Sequence, residues 1–243
     1  MKQMARLIAR GKSGKETAGF VFLLAAVAAL ILAFDLSLPL GVAGGVPYVV
    51  LVLLGAWLPS WRGILVLAGV GTALTVVGYF FSPAGGILWV VLINRGLAIF
   101  AIWMTAMLLL ERSREEEDER VRQSRKFVER IIPGTAGLVV LLAAVAVMIL
   151  AFDLSLPLGV AGGVPYVVLV LLGAWLPSWR GILVLAGVGT ALTVVGYFFS
   201  PAGGILWVVL INRGLAIFAI WMTAMLLLER SREEEDERVR QSR

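Results

Sequence analysis

The sequence predicts an all-α membrane protein with eight transmembrane helices, arranged as two parallel four-helix modules in which the fourth helix of each extends into the cytoplasm. Three observations carry that expectation. Of 243 residues, 60% are hydrophobic and 15% charged, with a mean hydropathy of +0.96, whereas soluble chains are about 45 to 50% apolar and about 25% charged. Residues 31–125 recur as residues 149–243, at an offset of 118, without one substitution. Within each copy, four apolar stretches are long enough to cross a hydrocarbon core of about 30 Å, which takes about 20 helical residues.

Upstream of the identical block the match decays, TAGFVFLLAAVAAL from Thr17 facing TAGLVVLLAAVAVM from Thr135. An identical block beside a diverged edge points to a recent duplication, an assembly artefact or an engineered single-chain tandem, so one module is read twice. The chain has no Cys and no His. That excludes disulfides, thiolate metal sites and Cys nucleophiles, along with the commonest general base and the commonest haem and zinc ligand. No enzyme activity, no cofactor and no metal are expected.

Residues 1–17 form a basic cytoplasmic flank. MKQMARLIARGKSGK resembles the start of a signal peptide, but the apolar run after it leads into three more spans. Residues 18–110 make the first membrane module, with spans near 18–34, 40–58, 64–81 and 87–110. Residues 111–132 are a charged cytoplasmic linker. Residues 136–228 make the second module, with spans near 136–152, 158–176, 182–199 and 205–228, and residues 229–243 a second charged helix. The breaks DLSLP, LPSWRG and FSPAGG each contain Pro, and two contain Gly.

Charge placement sets the orientation. The 21 basic residues fall as five before Thr17, seven in 111–132, five after Leu228, and the single arginines Arg62, Arg95, Arg180 and Arg213. With both termini inside, the only charges left outside are Asp35 and Asp153, and Lys and Arg avoid every outer loop, as the positive-inside rule requires. Trp57 and Trp61 then bracket the inner turn, and Tyr79, Phe80, Phe81 and Trp89 surround the outer one, where amphipathic rings favour the headgroup level.

The polar residues inside the spans are the candidate site. Arg95 lies about 12 Å below the outer start of its span and about 24 Å from the inner end, at 1.5 Å per residue. A charge at that depth costs at least about 2.5 to 3.5 kcal/mol and should face the bundle interior with a partner. Asp35 is the one acid available within the module, Tyr48 reaches a similar depth, and Pro47 frees a carbonyl that Asn94 or Arg95 is placed to satisfy. The expected cluster is Asp35, Tyr48, Asn94 and Arg95, repeated as Asp153, Tyr166, Asn212 and Arg213. An Arg95 snorkelling outward to pin helix packing is the alternative. Gly41 with Gly45, and Gly69 and Gly71 with Ala68, Thr72 and Thr75, predict close helix approach, with Gly96 following the buried arginine.

After Leu110 the chain turns to ERSREEEDERVRQSRKFVERII without Gly or Pro until Pro133. Arg112 with Glu116, Arg114 with Asp118, Glu116 with Arg120 and Asp118 with Arg122 are four-residue pairs that support a helix. Met107, Val121 and Val128 share a heptad phase that Arg114 interrupts, so a solvated helix and one that forms a homodimer stand as equal alternatives. In the second copy this helix is expected to lead into something further, since Arg243 provides no cap.

PLGVAGGVPYVVLVLL followed by SPAGGILWVVLINRGLAIFAIWMTAMLLLERSREEE resembles the four-helix membrane input region at the N-terminus of bacterial sensor histidine kinases and related signalling proteins. The resemblance covers nearly all of each module, and the SP-GG-W-NR-FAIW order is its distinctive part. It implies a membrane sensor whose fourth helix relays a packing change to a cytoplasmic output domain absent from this chain, in a bacterial inner membrane with both termini cytoplasmic. The chain departs from that pattern in having no phosphoacceptor His and two near-identical copies. The partners implied are the lipid bilayer and the output domain, with no nucleic acid. The competing readings are a small transporter or channel built from two parallel repeats, and a tandem scaffold without activity of its own.

Overall fold

A computed structural model describes residues 14–58, 61–115, 134–173, 176 and 179–241. The basic flank 1–13 and most of the linker, 116–133, lie outside the described residues. So do the pairings expected of Glu116, Asp118, Arg120 and Arg122, and the heptad positions Val121 and Val128.

Four helices are described in the first copy. They are α1 (Gly14–Ser37), α2 (Val49–Leu54), α3 (Trp61–Phe81) and α4 (Leu88–Glu115). The second copy has α5 (Gly134–Ser155), α6 (Val167–Leu172), α7 (Trp179–Phe199) and α8 (Leu206–Gln241) in the same order. No strand occurs among the described residues. The chain divides into two compact units, Met1–Ala106 and Met107–Arg243. Six helices are long and apolar enough to cross a membrane: Ala18–Ser37, Trp61–Phe81, Leu88–Leu110, Ala136–Ser155, Trp179–Phe199 and Leu206–Glu229.

The stretches expected as second and sixth spans differ from the expectation of one continuous helix each. In 40–58 the helical part is Val46–Trp57 alone, a 3-10 turn (Val46–Tyr48) leading into α2 and a second 3-10 turn (Gly55–Trp57) following it. Residues 38–45 are a run of tight turns. The reason lies in LPLGVAGG. Glycine is a poor helix former, and here its lack of a side chain is used for close packing instead. A Cβ on Gly41's neighbour Gly86 would come within 2.9 Å of Gly41 Cα, and one on Gly45 would meet Thr75 Cγ2 at 2.8 Å and Ala98 Cβ at 3.0 Å. Pro47 sits in the first turn of the 3-10 helix, where a missing N–H costs nothing. It therefore starts the helix and does not break one.

Backbone polar groups in this irregular stretch are paired locally. Leu40 N–H donates to Pro83 O at 3.1 Å, Val42 N–H to Pro39 O at 2.9 Å and Val46 N–H to Ala43 O at 3.0 Å. Residues 41–49 are all buried. Non-helical backbone is tolerated at membrane depth only under such protein cover.

The broken segment runs antiparallel to α3. Gly45 lies against Thr75, Tyr48 against Gly71 and Gly55 against Ile64 and Leu67, while Gly63 at the start of α3 lies under Leu58. At the other end Leu40 is tied to Pro83, just past α3. The segment thus extends along the whole of α3. The same face of α3 meets α4, with Gly71 against Ile102 and Gly78 against Arg95, and Trp103 Nε1 donates to Thr72 Oγ1 at 3.1 Å.

The small-residue face of α3 is Ala68, Gly71, Thr75 and Gly78, all buried. Gly69 and Gly96, expected to assist helix approach, have nothing near their Cβ positions. At about 100° per residue, Gly69 and Gly96 point away from the packed stripe that Ala68 and Arg95 occupy. On α1, Leu24, Ile31 and Asp35 form a narrow buried line, while Phe22 and Leu30 are more than 70% exposed. Phe80, Phe81 and Trp89 at the outer-turn positions are also exposed. Apolar faces of that extent match hydrocarbon better than water.

Gly86 and Gly204 adopt positive φ, 75° and 78°, and each packs on a glycine Cα of the broken segment. Replacing both with Ala should lower the stability of the chain in detergent by about 1 to 3 kcal/mol, from strain and overpacking together. Gly69→Ala and Gly96→Ala should leave it unchanged or slightly raised. Thermal unfolding followed by circular dichroism distinguishes the two pairs.

Candidate functional site

Three chain segments bring the expected cluster together. Asp35 stands in the last turn of α1, Tyr48 ends the first 3-10 turn of the broken segment, and Asn94 and Arg95 lie in the second turn of α4. Asp35 is 1% exposed, Tyr48 and Asn94 0%, and Arg95 5%. Arg95 Nη1 donates to Asp35 Oδ2 at 2.6 Å. Arg213 and Asp153 make the same contact at 2.5 Å. The arginines are therefore interior residues, and the outward-snorkelling alternative does not describe them.

Asn94 reaches across to the broken segment. Its Nδ2 donates to Gly41 O at 2.9 Å, and Asn212 repeats this on Gly159 O at 3.0 Å. The amide caps a carbonyl that the turn leaves outside any helix, holding the broken segment to α4. An apolar residue at position 94 would remove this hydrogen bond to a buried carbonyl.

Residues not expected at the site complete it. Ser82 Oγ donates to the Asp35 backbone carbonyl at 3.0 Å and lies 3.5 Å from Arg95 Nη2. Thr75 O lies 3.5 Å from Arg95 Nη1. Both arginine contacts are at the outer limit of hydrogen bonding. Gly44 and Gly78 flank the carboxylate, and a Cβ on Gly44 would fall on Asp35 Oδ1, one on Gly78 on Asp35 Oδ2. In the second copy Ser200, Gly162 and Gly196 occupy these places. Ser82 was readable only as part of a turn. Gly78 continues the spacing of Gly71 and Thr75 on α3, a signal present in the sequence, whereas Gly44 could be assigned only once the segment was known to be non-helical.

The pair is incompletely satisfied. Asp35 Oδ1, Arg95 Nε and the Tyr48 hydroxyl are buried without hydrogen-bond partners, and so are Asp153 Oδ1, Arg213 Nε and the Tyr166 hydroxyl. The Tyr48 phenol lies within the field of both Asp35 and Arg95. Asp35 also sits at the negative end of the α1 dipole, where an anion is disfavoured. Among the described residues the Arg95 guanidinium is the cation paired with that charge. Among the described residues no group of His, Cys, Asp or Glu could hold a metal ion.

Comparison with family models, with curated proteins and with solved structures gives no match.

Removing one partner of the pair leaves the other charge buried. Asp35→Asn or Arg95→Gln, each made together with its counterpart at Asp153 or Arg213, should cost about 3 to 5 kcal/mol per site. Replacing both partners with apolar residues, Asp35→Leu with Arg95→Met and likewise in the second copy, should recover most of that loss. A double-mutant cycle on chemical unfolding in detergent measures the coupling; additive losses would show that the two side chains do not depend on one another.

Proposed function

We propose that the chain is a non-enzymatic membrane input module of a bacterial signalling system, in which each fourth helix carries a packing change at its buried polar cluster toward the cytoplasm. The observation that carries this reading is the continuity of α8. One helix, Leu206–Gln241, holds Asn212 and Arg213 near its start and runs on for 36 residues in all, about 54 Å. A helix without Gly or Pro after Gly214 transmits a rotation or shift with little loss, because the change cannot be absorbed at a kink.

The topology fits a cell-membrane protein with both ends inside. Each broken segment extends the length of its neighbouring long helix, so four passes per copy is the count that keeps the basic flank, Arg62, Arg180 and both charged segments on one side. The bilayer is the first partner, and the cytoplasmic output joined to the fourth helix the second. A homodimer through membrane and cytoplasmic helices is a further arrangement open to this design.

One observation favours a second reading, a small transporter. Two Gly- and Pro-interrupted apolar segments at corresponding positions of a repeat are the usual pointer to a substrate pathway, and residues 38–45 and 156–163 fit that description. A pathway needs water at the break. Thr75→Cys, in a chain otherwise free of cysteine, should stay unlabelled by a membrane-impermeant thiol reagent if the input-module reading holds, and be labelled if a wet pathway passes it.

The coupling itself is testable at the far end of α8. A spin label on Gln241→Cys, in liposomes, should change its mobility or its distance to a second label when Arg213→Gln and Arg95→Gln are introduced. An unchanged spectrum from a helical, membrane-inserted double variant would remove the basis for signalling through this helix.

A further inference from the structure

We infer that the ligand of the polar cluster is a proton, taken up by Asp35 Oδ1 in the first copy and Asp153 Oδ1 in the second. This deepens the input-module reading by naming the stimulus, and its consequence for the fourth helix rests on that reading.

Packing selects the ligand. Gly44 and Gly78 close on the carboxylate so tightly that even a methyl group on either would land on its oxygens. The backbone of both glycines is thus packed directly on the carboxylate, and a proton needs no further space there. The carboxylate oxygen that Arg95 does not use is buried without a partner, and so is the Tyr48 hydroxyl on the neighbouring segment. The same atoms are unpartnered in the second copy. A proton on Oδ1 turns an unsatisfied acceptor into a donor, and the Tyr48 phenol, buried without a partner among the described residues, is an acceptor with an unused lone pair.

Among the described residues, the charged and titratable groups around Asp35 are Arg95 and Tyr48. Arg95 comes from α4 and Tyr48 from the broken segment. The facing residues of α3 are Thr75 and Gly78, and the turn after it offers Ser82, none of which titrates. The carboxylate lies at the negative end of α1, so its charge is sustained by one guanidinium nitrogen.

The step balances simply. One proton from the water at the Ser37 and Ser82 end of the helices forms one O–H bond on Asp35. Arg95 keeps its own proton, and the pair passes from net zero to +1. A buried guanidinium without a counter-charge is strongly unfavourable. Arg95 is then released from Asp35 Oδ2, and Ser82 and Thr75 O are the groups placed to receive it. Because Arg95 and Asn94 are consecutive on α4, that release loads the contact holding α4 to Gly41. The proton is thereby converted into a change in helix packing.

Infrared difference spectroscopy of the full chain in liposomes tests this. On lowering the pH, the wild type minus the Asp35→Asn, Asp153→Asn variant should show the C=O stretch of a protonated carboxyl group, the subtraction removing the exposed carboxylates. In Tyr48→Phe with Tyr166→Phe the same band should shift in frequency, a result that stays readable if the Asn variant does not fold. No protonated-carboxyl band in the double difference, or a band unmoved by loss of both phenols, overturns the proposal. A spin label on Gln241→Cys is read in the same samples. A band without a label response leaves the proton site standing and counts against the input-module reading alone, whereas a label response without the band overturns the proton site alone.

Discussion

A carboxylate and a guanidinium paired away from water impose most of the arrangement seen in each unit. Moving either charge alone out of water costs several kcal/mol, so Asp35 and Arg95 must meet, and every element that touches them is shaped by that requirement. Helix α1 ends where its carboxylate reaches Arg95. Helix α3 presents Gly78 because any side chain there would displace the carboxylate. The turn after α3 places Ser82 on the carbonyl of the same aspartate. Tyr48 is buried beside Gly71 of α3, on a segment that is non-helical over residues 38–45.

That loss of helix is offset by a division of labour between glycines and one amide. The glycines let the broken segment lie directly on α3 and α4, and Asn94 donates a hydrogen bond to Gly41 O. The segment is short because its other half is turn, yet it is the most completely buried part of each unit, with Val42, Ala43, Val46 and Tyr48 all at 0% exposure. The long helices around it remain apolar outward. Each unit therefore holds a few polar groups inside an apolar core, while the outward faces of its long helices are apolar as well.

The pair is strong in Coulombic terms and poor in hydrogen bonding. One contact of 2.6 Å is accompanied by two at 3.5 Å and by three buried atoms with no partner. A fully satisfied network would hold one state firmly. An incompletely satisfied one stores the difference between states in a few atoms, and here those atoms belong to side chains on three separate segments. Sequence identity over residues 31–125 and 149–243 makes the second site a replicate of the first, and the aspartate–arginine and asparagine–glycine contacts repeat to within about 0.1 Å.

Hydropathy and segment length marked the six long apolar helices among eight expected spans, internal identity established the repeat, and the depth of Arg95 left two options, a pair with Asp35 or an outward-snorkelling side chain. The charged continuation of the fourth helix was legible for the same local reason, an unbroken run without Gly or Pro, and α8 follows it to Gln241. Composition could not reveal that 40–58 is only part helix. Its apolar residues suit a span equally well, and the turns are stabilised by contacts with Pro83, Asn94 and Gly86 that lie far along the chain. Nor could spacing separate Gly71 and Gly78, which pack, from Gly69 and Gly96, which do not, since a glycine's value depends on what stands opposite. Tertiary structure decided the partner of Asn94, the roles of Ser82, Gly44 and Gly78, and which polar atoms stay unpaired, because each depends on the distance between segments that only the folded bundle brings together.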